Sequence, residues 1–176
     1  MNKHVSPRMN RRAFVIGSTA LGAGLAIGLD IPFGGPAVVR AGDGSPEISW
    51  GDTFFYYAPD GVVPKAGQPF ATIVTKDYPG DEASRLSRPG AFRLNIAAGA
   101  DAFSSWAGHQ PSEPAGDVDH SVTDCVLAHP VYGSLAWLAV VNPGSRTDAA
   151  TRDLLRTAHG LARSRYQRRA EFRPQR

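Results

Sequence analysis

The chain has 176 residues, 42% of them apolar, a single cysteine and a formal net charge of +3. That size fits one domain with extensions and excludes global disorder, and the lone Cys125 excludes an internal disulfide framework or a multi-cysteine metal site. The charge is uneven: residues 1–41 carry +4, residues 42–162 carry −6 and residues 163–176 carry +5, so the acidic body disfavours nucleic-acid binding by the folded domain.

In chain order, the first segment is basic and then apolar. Arg11 and Arg12 precede the run AFVIGSTALGAGLAIGL at 13–29, which is 17 residues long without a charge. A positive start, an apolar stretch and a small-residue exit describe a secretory signal, and paired arginines before Phe14 resemble the twin-arginine export signal. Ala41 offers a cleavage point, and the export machinery would then be a partner. Two alternatives stay open: a spanning anchor, for which the run is short and holds four glycines, or the first helix of a cytoplasmic domain.

Residues 37–39 and 47–50 are short strand candidates. Residues 53–57, TFFYY, read as a strand closed by the Pro59-Asp60-Gly61 turn. Residues 70–75 read as another, followed by the chain break Tyr78-Pro79-Gly80-Asp81. Residues 92–96 alternate, which predicts Phe92, Leu94 and Ile96 in the core and Arg93 and Asn95 on a wet face. Residues 99–107 form a short helix around Phe103 and Trp106, and 108–119 a loop rich in Pro, Gly and acids.

The apolar run LAWLAVV at 135–141 is most simply a central strand, ended by Asn142-Pro143-Gly144. Thr147 makes a helix start with Asp148 in its first turn, and Leu154, Leu155, Ala158, Leu161 and Ala162 share one face. Short links predict antiparallel pairing. The expected fold is therefore α+β, a small antiparallel sheet with one or two helices packed on one face. No glycine-rich phosphate loop follows a strand, and no cofactor is expected.

The blocks SPEISWGDTFFYYAPDG, PFATIVTKDYPGD, PGAFRLNIAAG, HPVYGSLAWLAVVNPG and LLRTAHGLA resemble an actinobacterial family of small proteins that carry a domain of unknown function. The resemblance spans about residues 36–166. It implies three parts: a signal-like segment or replaced first helix at 1–35, one domain at 36–166 and a basic tail at 167–176. A more distant similarity, carried by Trp137 and the spacing of Leu154 to Leu161, is to the YjbR-like (MmcQ) group, which implies a double-wing variant of the α+β fold. That group usually opens with an amphipathic helix, and here the signal-like run stands in its place.

Candidate site residues sit at strand ends. Trp50, Asp52, Tyr56 and Tyr57 could line a pocket mouth with Lys76, Asp77 and Tyr78, because a lysine and a carboxylate beside aromatics can bind a polar ligand or exchange protons. The plainer reading makes Asp52 a turn cap and the aromatics core. Arg93 and Asn95 could hold a carboxylate or phosphate, or form a surface salt bridge. His129, before Pro130 and Tyr132, is the best single histidine, with a structural hydrogen-bonding role as the alternative. Asp117, Asp119, His120 and Asp124 match no ligand spacing, so no metal site is expected. His109 and His159 read as surface positions. Ser104, Ser105 and Ser134 lack a hydrolase nucleophile context.

Three functions follow from these residues. The first is a domain binding a small ligand or a protein partner around Trp50, Lys76 and Arg93. The second is a hydrolase-like enzyme with His129 or Asp52 as base. The third is nucleic-acid binding through the arginine tail, for which a solvated terminus is the simpler account.

Overall fold

The computed structural model describes residues 36–40, 49, 51–63 and 67–171. The signal-like run, Trp50 with most of the expected strand at 47–50, and the last five residues lie outside these. Among the described residues six strands form one sheet: β1 (Pro36–Arg40), β2 (Thr53–Tyr57), β3 (Ala71–Val74), β4 (Arg93–Ile96), β5 (Val126–Ala128) and β6 (Leu138–Val141). Their spatial order is β1-β2-β3-β4-β6-β5, and every pair is antiparallel. Two helices, α1 (Ala100–Ala107) and α2 (Asp148–Glu171), complete the expected α+β architecture.

Register sorts the strands' side chains onto two faces. Phe55, Ala71, Ile96, Leu138 and Ala128 lie across from one another, as do Ile73, Leu94, Val140 and Val126. These rows form the main core with Phe103 of α1 and Leu154, Leu155, Ala158 and Ala162 of α2. Full burial of each such large apolar side chain contributes about 1.5–3 kcal/mol. Both helices therefore sit on this face.

The opposite face carries Phe54, Thr72, Asn95, Ala139 and Leu127 in one row and Val74, Arg93 and Val141 in the next. The alternation at 92–96 predicts that this face is wet, but it is closed to water. All four residues of β4 are buried. The loop between β3 and β4 folds back over this face, and its Leu86 and Ala91 join Val74 and Val141 in a second, smaller core, with Tyr78 packed against it.

Local geometry explains three further departures. The apolar run at 135–141 begins as a short 3-10 turn, Gly133–Leu135, and Ala136 is left-handed, so the strand starts only at Leu138 and Leu135 is 65% exposed. Strand β5, unexpected from sequence, pairs with β6 at the sheet edge. In α2, Leu161 is only partly covered, whereas His159 is buried, not a surface residue: its ring meets Tyr57 and Phe70 edge-on at 5.3 and 5.5 Å. Leu161 instead packs over the start of α1. There Gly99 has φ +84°, and a Cβ would come within 2.8 Å of the Leu161 Cδ1.

The start of α2 is held by Asp124, at the end of the acidic loop. Its carboxylate accepts the backbone N–H groups of Gly144, Arg146 and Thr147 and the Thr147 hydroxyl. The Thr147 hydroxyl, with the backbone donors, holds the Asp124 carboxyl down to about 2.

Candidate functional site

Among the described residues, buried charge falls on the loop face of the sheet and at the start of β2. Arg93 projects from β4 and is 1% exposed. Its guanidinium meets Asp81 bidentately, Nη1 to Oδ1 at 2.9 Å and Nη2 to Oδ2 at 2.6 Å. Nη1 also donates to the Ser84 hydroxyl at 2.8 Å and Nε to the Asn95 Oδ1 at 2.8 Å. Asn95 in turn donates to Thr72 Oγ1 on β3 at 2.9 Å. Arg93 and Asn95 are thus brought together as expected, but buried and engaged with each other. They do not form a wet-face clamp, because Asp81 and Ser84 from the covering loop already satisfy the guanidinium.

A second group lies at the start of β2. Asp52, 1% exposed, accepts the Thr75 N–H at 2.9 Å, the Thr75 hydroxyl at 3.2 Å and a short hydrogen bond from the Tyr78 hydroxyl. Burial pushes the Asp52 carboxyl above its ordinary value, although these donors and the Lys76 charge pull it back. Burial and the Asp52 carboxylate push the Tyr78 phenol up in turn. Tyr78 and Asp81 are the two ends of one tight turn, with Asp81 N–H donating to the Tyr78 carbonyl at 2.8 Å, so the two groups adjoin.

The other candidates separate. Tyr56 is buried with Phe54, and burial pushes its phenol up to about 12. Tyr57 points to the helix face, where it meets His159 and Tyr166. The two tyrosines therefore do not share a pocket mouth. Asp77 ties its own loop, accepting the N–H groups of Leu86 and Ser87. Burial opposes ionisation of Asp77, and those donors outweigh it, so its carboxyl is lowered.

His129 follows β5 and is 3% exposed. Its Nδ1 accepts the backbone N–H groups of Val131 and Tyr132, both at 3.1 Å, which fixes the proton on Nε2. Burial first, and then the charges of Arg93 and His120, keep the ring neutral far below its ordinary titration range. The ring lies against Tyr132, with centroids 4.8 Å apart. Among the described residues no serine or aspartate contact accompanies it, and its backbone hydrogen bonds fit the structural alternative.

His120 connects this layer to the surface. It lines an open depression of about 470 Å³ together with Ala83, Arg85, Asp117, Val118 and Asp119. It also lines an inner cavity of about 120 Å³ beside Trp106 of α1 and Leu127 of β5. Burial, and then the Arg93 charge, lower its pKa, so the ring is neutral near pH 7. Its Nδ1 is buried with no hydrogen-bond partner among the described residues. At the rim, Arg85 holds a left-handed backbone with φ +49°, a conformation that costs energy outside glycine. Arg88 ties the same loop to the residue after His120 by donating to the Ser121 carbonyl at 2.7 Å.

In sequence, Asp117, Asp119, His120 and Asp124 show no metal-ligand spacing. In the fold Asp124 is committed to the start of α2, and Asp119 accepts from Ser121. Among the described residues no three His, Cys, Asp or Glu side chains are grouped to hold a metal ion. Asp81, Ser84, Tyr132 and Arg85 escape a motif search because each acts through tertiary contacts. The one available signal is Asp81 in a Pro-Gly turn, 12 residues before an arginine inside a strand.

The chain matches the model of DUF6194, described as a family of unknown function, over residues 29–171. It belongs to the DUF6194 family. The match covers the whole sheet and both helices, so the Arg93 layer and the His120 depression lie within the DUF6194 region. No curated protein and no solved structure shows a significant match.

Proposed function

We propose that this protein binds a small polar ligand in the depression between the Arg85 turn and residues 117–120, with His120 as the contacting residue. The observation that carries the reading is the His120 ring, which walls the depression and bonds the Ala128 backbone while its Nδ1 is buried without a hydrogen-bond partner among the described residues. Buried polar groups in native proteins are almost always hydrogen-bonded, so such an atom marks a place for an outside partner. The volume falls in the range of ligand pockets, and Arg85 faces Asp117 and Asp119, which suits a molecule bearing groups of both signs. The Arg93–Asp81 layer supports the site by fixing the loop that carries Ala83 and Arg85.

The hydrolase alternative has less behind it, since His129 Nδ1 is taken by backbone donors and Asp52 is bonded to Tyr78 and Thr75. The double-wing comparison with the YjbR-like group remains a proposal about topology only, and its nucleic-acid label is not carried to the acidic body. For location, we keep twin-arginine export as a proposal. Cleavage after Ala41 is not part of it, because that cut would remove edge strand β1. The mass of the mature chain in cell fractions tests this: an intact amino terminus in the cytoplasm rejects export.

The binding test is a thermal-shift screen against small polar metabolites. A ligand at a hundred times its Kd adds about 2.7 kcal/mol, or roughly 5–10 °C in a domain this size. The shift should vanish in His120→Ala and shrink in Arg85→Ala. A silent panel at millimolar concentration, or a shift that survives His120→Ala, rejects the reading.

A further inference from the structure

The main core uses α2 only as far as Ala162. Beyond it, every residue from 163 to 171 is exposed, so about 13 Å of helix runs past the core. The helix does not leave the domain freely: the Tyr166 ring rests edge-on against Tyr57 of β2, with centroids 5.4 Å apart. This projecting end carries Arg163, Arg165, Arg168 and Arg169 against Glu171 alone.

Arg165, Arg168 and Arg169 stand at i, i+3 and i+4, which puts them on one side of the helix within an arc of about 100°. Desolvation, and after it the neighbouring charges of Arg169 and Arg168, lowers the Arg165 pKa, although the residue as a whole is exposed. None of the three makes an ion pair among the described residues, whereas Arg152 and Arg156, earlier on the same helix, are paired with Asp148 and Asp153. Like charges at this spacing weaken a helix. The helix dipole offsets cations only in the last turn, which leaves Arg165 unexplained.

We propose that this arginine face is a docking surface for the phosphate backbone of a nucleic acid, read without regard to sequence. The body carries a net −6 over residues 42–162 and repels a polyanion, so contact is confined to the projecting end, where residues 163–171 carry +3. A nucleic acid is favoured over an anionic membrane because 163–171 offers only Tyr166 and Ala170 as apolar residues, and Tyr166 is engaged with Tyr57. The surface is separate from the His120 depression and does not depend on its ligand.

The test is fluorescence anisotropy of the full chain with a labelled random-sequence DNA duplex and a labelled single-stranded RNA. Three neutralised phosphates give a log–log salt slope near −2.7, so affinity should fall roughly 40-fold between about 50 and 200 mM salt. The triple variant R165Q/R168Q/R169Q, with its helical circular dichroism retained, should bind at least tenfold more weakly at low salt, with a slope shallower by about 2 to 3. The single variants, each removing about one unit of slope, keep the test open if the triple variant loses helicity. A preference for DNA or for RNA supports the phosphate contact and names its source. Unchanged binding by the triple variant, no binding by the wild type at low salt, or tighter binding to phosphatidylserine vesicles than to either nucleic acid overturns it.

Discussion

On strand β4, neighbouring residues belong to two kinds of interior. Leu94 and Ile96 enter the helix face, where Phe70, Phe103, Leu138 and Leu155 surround them and no polar contact is needed. Arg93 and Asn95 enter the loop face, where each polar atom has a particular partner: Asp81, Ser84 and Thr72. The first interior rests on apolar area, which tolerates exchange of one hydrocarbon for another. The second depends on a matched set of donors and acceptors, and removing one member strands the others. The comparison teaches where the molecule is rigidly specified. The helix face holds the domain together, and the loop face fixes the chain around the depression.

The largest effect should come from breaking that matched set. Arg93→Ala leaves the Asp81 carboxylate, Ser84 and Asn95 facing one another without their cation, and should cost about 3–5 kcal/mol in urea unfolding. Leu94→Ala, one residue along on the other face, should cost a similar amount through a cavity, about 2–5 kcal/mol. A second change separates the two cases. R93M/D81L removes both charges and should regain most of the loss, whereas no comparable partner exists to rescue Leu94→Ala. If R93M/D81L is as unstable as Arg93→Ala, charge balance is not what the loop face depends on.

This contrast also explains what the sequence could reveal. The strands TFFYY, ATIV and RLNI, helix α1 and the start of α2 were readable because their signals are local: alternation, turn residues and a capping site. The helix face followed from periodicity alone. The loop face did not, because alternation marks a residue as polar without saying whether water or protein meets it. Arg93 and Asn95 were rightly expected on the same side, but their partners Asp81 and Thr72 come from other elements and are visible only in three dimensions. The same limit placed His159 at the surface, when its ring lies between Tyr57 and Phe70. Strand β5 has only three residues and gave no periodic signal. His120 was not singled out as a site residue, because its place in the wall of the depression comes from tertiary packing and leaves no mark in the local sequence.

A moderate effect is expected at the other end of the loop face. Tyr78→Phe removes the hydroxyl that donates to Asp52 but leaves the two Thr75 donors. The cost should be about 1–2 kcal/mol, with the Asp52 carboxyl raised further. Because Tyr78 and Asp81 share a tight turn, Tyr78→Phe combined with Arg93→Ala should depart from additivity by more than about 0.5 kcal/mol. Strict additivity would divide the loop face into two independent halves.

The smallest effects are the titrations, and their signs distinguish the polar layer from the α2 clamp. His129 and His120 are held below their ordinary value in the fold, so the unfolded chain binds protons first as pH falls through about 6.5. The unfolded state then holds more protons than the native one, and stability declines with acid from that point down. His129→Asn keeps an acceptor for the Val131 and Tyr132 N–H groups while removing the titration, and should flatten this upper arm of a melting-temperature profile. Asp124, lowered to about 2, contributes stability that is complete above its unfolded value of about 3.9 and is lost as pH falls toward 2. Asp52 is shifted upward and tilts the profile the other way across the carboxylate range, so the Asp124 contribution is measured as the difference between wild type and Asp124→Asn. That difference should shrink steeply as pH falls from about 3.9 to 2 and vanish only below 2, where the folded carboxyl is protonated. If it persists there, the clamp acts through hydrogen-bond geometry alone and the carboxylate charge contributes nothing to anchoring α2.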